Sequence, residues 1–188
     1  MYAILHEGKS IDKDFFQLLL KHLNLDVSLV SFYGMGSKSN FFKIDNKQYK
    51  DVLLEVELER VSKLLFIVDS DYVGNKKYDG YEDTVKEIES IQEKLNIKEL
   101  SDIFVAYDMR LDTKEGYLES LILSTLSIEQ TKCIEDFLNC SDFKSKFHDK
   151  SIFNIIYKNA YPSSDYNFEH PNFNELKQKL KKLFKEEN

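Results

Sequence analysis

The sequence predicts an α/β fold: a central, mostly parallel four-stranded sheet flanked by helices, with a mainly helical C-terminal extension. Three observations carry that prediction. Up to Tyr107, short apolar runs alternate with segments whose apolar residues recur at helical spacing, the signature of a parallel sheet covered by helices. The chain has 188 residues, 42% of them hydrophobic and 31% charged, enough for one well-filled core. Acidic residues recur where the predicted strands end, which is where such sheets place their sites. Residues 1–126 make up the α/β domain in this reading, and residues 127–188 a helical extension packed on it.

The elements follow in order. Tyr2 to His6 is a short apolar strand that stops at Glu7-Gly8. Phe16, Leu19, Leu20 and Leu23 then fall at i, i+3, i+4 and i+7, one face of a helix. Val27 to Tyr33 reads as a second strand, closed by the turn-forming GMGSKSN from Gly34. Lys47 to Lys63 is helical, less regularly patterned, and Leu64 to Val68 is a third strand. Ile88, Ile91 and Leu95 mark another helix, and Ile103 to Tyr107 a fourth strand. Leu118, Leu121, Ile122 and Leu126 give a further helical face. Near the end, Asn172 with Glu175 three residues on predicts a capped helix, whose apolar stripe is Phe173, Leu176, Leu180, Leu183 and Phe184. The lysines between them read as a solvated face.

No apolar run approaches the ~18 residues of a membrane span. The N-terminus, MYAILHEGKS, has neither the basic start nor the small-residue cleavage site of a signal peptide. Cys133 and Cys140 match no zinc or redox spacing, so a cytoplasmic chain with two core thiols is expected. The net charge of −7 runs against direct phosphate binding by surface lysine and arginine, but a metal-binding acidic cluster makes a chain acidic while the metal attracts phosphate.

The stretch LLFIVDSDYVGN, Leu64 to Asn75, raises the central question. Two like charges at ~4 Å in an effective dielectric of ~20 repel by about 4 kcal/mol, so a strand ending in Asp69 and Asp71 needs compensation. A divalent cation supplies it. Mg²⁺ takes carboxylate oxygens, keeps several waters and binds through one or two carboxylates plus substrate phosphates. Residues i and i+2 of an extended segment share a side, so Asp69 and Asp71 converge on one ion. Glu7, from another strand end, completes the site or serves as a general base, and Gly8 lets the chain turn tightly into the helix. Gly8, Lys9 and Lys38, in the adjacent loops, are candidates for phosphate binding. A DxD after a strand is otherwise a solvated turn with one Asp capping the next helix.

An apolar strand ending in EG (ILHEGKS), then a helix, a second strand and an apolar strand ending in DxD (FIVDSD), resembles the Toprim domain. That domain occurs in bacterial primases, topoisomerases, OLD-type nucleases and recombination proteins. The closer resemblance is to a small standalone Toprim-like family of unassigned function, through YGMGSKSN, DSDY with KYDGYEDTVKEIESI, DIFVAYDMRLDTKEGYLESLIL and NFEHPNFNELKQKL. It implies a Rossmann-like sheet, Mg²⁺ (or Mn²⁺) held by Asp69 and Asp71, and Glu7 as acid, base or ligand in phosphoryl transfer. It also implies a nucleic-acid partner, DNA or RNA, with a protein partner or self-association as a further expectation.

Such proteins often carry an acid four residues after the Glu. Here Ile11 stands there and Asp12 follows, so Asp12 is read as a helix cap. Glu119, one helical turn after Glu115, would share a helix face with it. The resemblance implies a glycine–acid segment here and so makes Glu119 a candidate ligand for a second metal, ~4 Å from the first; the plain alternative is an exposed side chain. Tyr72 and Tyr78 lie near the acids and can stack on bases. Two rival readings stand beside the nuclease. One is a Toprim-like binding or assembly module without turnover. The other is a haloacid-dehalogenase-like phosphatase, in which the first Asp of DSDYV would accept the phosphoryl group.

Overall fold

All four strands run parallel, in the order β2-β1-β3-β4. They are β1 (Tyr2–His6), β2 (Val30–Gly34), β3 (Lys63–Asp69) and β4 (Ser101–Ala106). The computed structural model describes residues 1–8, 11–74, 79–140, 150, 152 and 166–185. Within β1 and β3 nearly every residue is apolar and buried, because each face of the sheet has its own core. Ile4, Leu65 and Ile67 point to one face; Ala3, Leu5, Leu64, Phe66 and Val68 point to the other.

The helices fall on those two faces. α1 (Ile11–His22) buries Phe15, Phe16, Leu19 and Leu20 on the first. α2 (Lys38–Phe41), α3 (Lys47–Glu57) and α4 (Tyr81–Lys94) bury Phe41, Tyr49, Val52, Ile88 and Ile91 on the second. α5 (Leu118–Leu123) returns to the first face with Leu118, Leu121, Ile122 and Leu123. α6 (Ile128–Cys140) buries none of its residues fully. α7 (Asn174–Leu183) lays Leu176, Leu180 and Leu183 on the first face, so the last helix belongs to the sheet's own core. Among the described residues, no helix is long and apolar enough to cross a membrane.

Five local expectations need correction. The helix read over Lys47 to Lys63 ends at Glu57, and Lys63 opens β3. β2 begins at Val30, because Asp26 caps a 3-10 turn over Val27–Leu29, accepting from the Ser28 amide at 2.9 Å. The GMGSKSN turn contains helix α2, which carries Lys38 inward to 8% exposure. Cys133 and Cys140 are exposed rather than in the core, since α6 packs on the body through Ile134 and Leu138, its partly buried apolar residues. Asn172 does not cap the last helix. His170 Nδ1 accepts the Asn172 amide at the head of a 3-10 turn, Pro171–Phe173, where Pro171 presets the backbone. The Asn172 side chain instead donates to Ser124 Oγ at 2.9 Å, tying α7 to the end of α5.

Candidate active site at the sheet's switch point

The chain leaves β1 toward β2 and then crosses over to β3, so the strand order reverses between β1 and β3. Open α/β sheets form ligand crevices at such a point, beyond the carboxyl ends of the strands. Here His6 pairs with Ile67 and Asp69 with Ala106, which sets Glu7 and Asp69 at adjoining strand ends.

Asp69, the last residue of β3, is 6% exposed. Its Oδ1 accepts the Leu118 amide at 2.8 Å and its Oδ2 meets Lys150 Nζ at 3.1 Å. Burial, then the Glu7 carboxylate, push Asp69 well above the ordinary aspartate range, while Lys150 opposes them. Glu7 is half-buried. Burial and the Asp71 charge raise its pKa to about 7, against the pull of Lys150, Lys38 and the Asp69 amide. Its Oε2 is enclosed and has no hydrogen-bond partner. An enclosed carboxylate oxygen without a donor is costly.

Asp71 reaches the site by a route the strand pattern does not show. Its φ of 61° is left-handed, not extended. An antiparallel bridge to Gly116 holds it, with Asp71 N donating to Gly116 O at 2.8 Å. Ser70 braces the same loop: its amide donates to Ala106 O and its hydroxyl to Lys114 O, at 2.8 and 2.7 Å. Asp71 Oδ2 then lies 3.2 Å from Lys38 Nζ, and that ammonium donates to Ser70 O at 2.7 Å.

The chain matches no protein-family model, no curated protein and no solved structure. What the site can do is therefore argued from its own residues.

Of the residues singled out in the sequence, Glu7, Asp69, Asp71 and Lys38 come together. Glu119, half-buried in the first turn of α5, joins through its field on Asp69 and Lys150. Gly8 is spoken for: its amide donates to Asp12 Oδ2 at 2.7 Å, and a Cβ on Gly8 would collide with that carboxylate. Lys9 and Tyr78 lie outside the described residues. Asp12 sits inside α1 rather than capping it, and reaches back over the Glu7-Gly8 turn. Burial works against its charge, yet the neighbouring His6 imidazole and the Gly8 amide hold its carboxyl below the ordinary range. His6 itself is buried between the rings of Phe16 and Phe32. Asp108, also at a strand end, is paired with Arg110 Nη2 at 2.6 Å and takes no part. Glu115 accepts the Val73 amide at 3.2 Å.

Sequence reading missed Lys150. Its ammonium lies over the Tyr117 ring at 4.2 Å, and Tyr117 packs edge-on against Tyr72. Burial lowers its pKa, but Asp69, Glu119 and Glu7 outweigh that and hold it above the ordinary lysine range. A lysine far along the chain from every acid it meets carries no local signal.

Among the described residues, no three Asp, Glu, His or Cys side chains are gathered into a ready-made metal cage. The donor set is nevertheless that of a hard cation: carboxylates only, with one enclosed oxygen unpartnered. Mg²⁺ needs no protein cage, because it completes its shell with water and substrate phosphate.

Proposed function

We propose that this protein is a Mg²⁺-dependent phosphotransfer enzyme acting on nucleic acid, by phosphodiester hydrolysis. The single observation that carries the reading is the enclosed, unpartnered carboxylate oxygen of Glu7 beside two further acids at the switch point. Among the described residues, Glu7, Asp69 and Asp71 gather around the ammonium groups of Lys38 and Lys150, and Glu7 Oε2 has no hydrogen-bond partner. An enclosed carboxylate oxygen with no donor is costly, and a cation would remove that cost.

Asp69, Asp71 and Glu7 would hold the ion, with Glu119 available to a second one. The ion would supply neutralisation of the phosphate charge and activation of the attacking water. The chain's own groups do the rest. Glu7, with a pKa raised to about 7, can take and return a proton near neutral pH. The Leu118 amide orients Asp69, and buried Lys38 fixes Asp71 and the Ser70 carbonyl. Tyr72, 37% exposed and next to Asp71, offers a ring edge or face to a base.

One observation favours the binding or assembly module instead: Lys150 and Lys38 already sit on Asp69 and Asp71. The phosphatase reading rests on the DSDYV motif alone.

Calorimetric titration with Mg²⁺ and Mn²⁺ separates the readings, comparing wild type with Asp69→Ala/Asp71→Ala. The same samples are then incubated with single- and double-stranded DNA and RNA. Metal binding and strand cleavage, both lost in the double variant, are expected. Metal binding with no cleavage of any substrate would favour the module, and no metal binding would remove the reading.

A further inference from the structure

We propose that Lys150 is a resident cation of the acidic site: it satisfies the carboxylates that a divalent ion would need, so that metal binding and release of its ammonium are one exchange. This deepens the reading above and rests on it.

The two site lysines differ in how they are held. Lys38 is only 9% exposed along its side chain, donates to the Ser70 carbonyl at 2.7 Å and meets Asp71 at 3.2 Å. A carbonyl and a carboxylate together fix it in the fold. Lys150 is 33% exposed, lies over the Tyr117 ring and donates to one oxygen, Asp69 Oδ2. It has a path to water that Lys38 lacks.

The oxygen it takes is the decisive one. Asp69 Oδ1 accepts the Leu118 backbone amide at 2.8 Å, so Oδ2 is the oxygen whose partner is a side chain that can move away. Lys150 sits there, drawn also by Glu119 and Glu7. An ammonium and a divalent ion compete for the same negative charge, the divalent ion with twice the Coulomb attraction at equal distance. An ammonium and a divalent ion held at contact distance by the same carboxylate oxygen repel one another, so the gain of one favours release of the other. The displaced ammonium stays on the chain beside the site, as a point charge for a phosphate oxygen.

The test is Mn²⁺ calorimetry at one fixed, mildly alkaline pH on wild type, Lys150→Met and Lys150→Arg. Lys150→Met keeps the side-chain length and removes the charge; it should bind Mn²⁺ about 3–5-fold more tightly, the worth of one partly exposed ion pair. Lys150→Arg keeps the competitor and should bind no more tightly than wild type.

A second measurement uses wild type alone: acetylation of Lys150, read by mass spectrometry, should rise several-fold when Mn²⁺ is added, while Lys38 stays unlabelled. It decides the matter if Lys150→Met does not fold. Mn²⁺ binding to wild type with unchanged or weaker affinity in a folded Lys150→Met, or labelling of Lys150 that Mn²⁺ leaves unaltered, would overturn the exchange and spare the metal reading. No Mn²⁺ binding by wild type or either variant would overturn both.

Discussion

Two carboxylate–lysine clusters sit at opposite ends of the same sheet, and their carboxyl groups shift in opposite directions. At the amino end of β4, Asp102 accepts from Lys179 Nζ at 2.6 Å, Lys182 Nζ at 3.0 Å and the Ile103 amide at 2.8 Å. Burial opposes its charge, but those donors win and hold it below the ordinary aspartate range. At the carboxyl end of β3, Asp69 also has a lysine and a backbone amide, yet lies well above that range. The partners are alike; the surroundings are not. Asp102 is one acid with two cations in partial contact with water, whereas Asp69 is enclosed among further acids. A lysine beside a carboxylate therefore does not mark a structural ion pair. The ratio of charges and the access of water decide which way the carboxyl group shifts.

The largest effect should come from breaking the clamp that keeps the second cluster together. Gly116 has φ 129°, and a Cβ there would stand 2.8 Å from Asp108 N, a backbone atom that cannot step aside. Gly116→Ala should cost roughly 2–4 kcal/mol in urea unfolding. It should also weaken metal binding, because Gly116 O receives the Asp71 amide. A variant as stable as wild type would show that the Asp71–Gly116 bridge does not position the site.

The next effect is a pH dependence of opposite sign at the two ends. Glu7 is raised from 4.5 to about 7, so the native state binds protons across that window that the unfolded chain has already lost. Its contribution to stability is therefore lost as pH rises from about 4.5 to 7. Glu7→Gln removes the titration and should gain on the order of 2 kcal/mol over wild type between pH 5 and 8. Mn²⁺ should erase much of that difference, because it satisfies the charge. Equal pH profiles for the two proteins would mean that Glu7 is better solvated than its enclosed Oε2 indicates.

The sequence exposes one half of this contrast well. The EG and DxD acids are legible because each is adjacent to a short apolar strand, and strand ends can be read from local pattern alone. Four strands in a parallel sheet follow from the same pattern. The other half is long-range. Lys150 reaches Asp69 across 81 residues. Asp71 owes its left-handed backbone to Gly116, and Lys38 owes its burial to a short helix inside what reads as a turn. Asp12 has the composition of a cap yet serves the Gly8 amide. Each of these is set by a contact that local propensity does not encode, and they are the contacts that tune the acids.

The smallest effect sharpens the comparison from the balanced side. Asp102→Asn keeps the side-chain volume and removes the charge that Lys179 and Lys182 share. Because Asp102 is depressed, its contribution is present above the ordinary aspartate range and lost as pH falls through its folded value. The pair is partly exposed, so solvent screening limits the loss to about 0.5–1 kcal/mol near neutral pH, less at high salt. Metal affinity should not change, since the cluster lies at the far end of the sheet. If Asp102→Asn did alter Mn²⁺ binding, the two clusters would be coupled through β3 and β4, and charge balance at each end could no longer be treated as a local property.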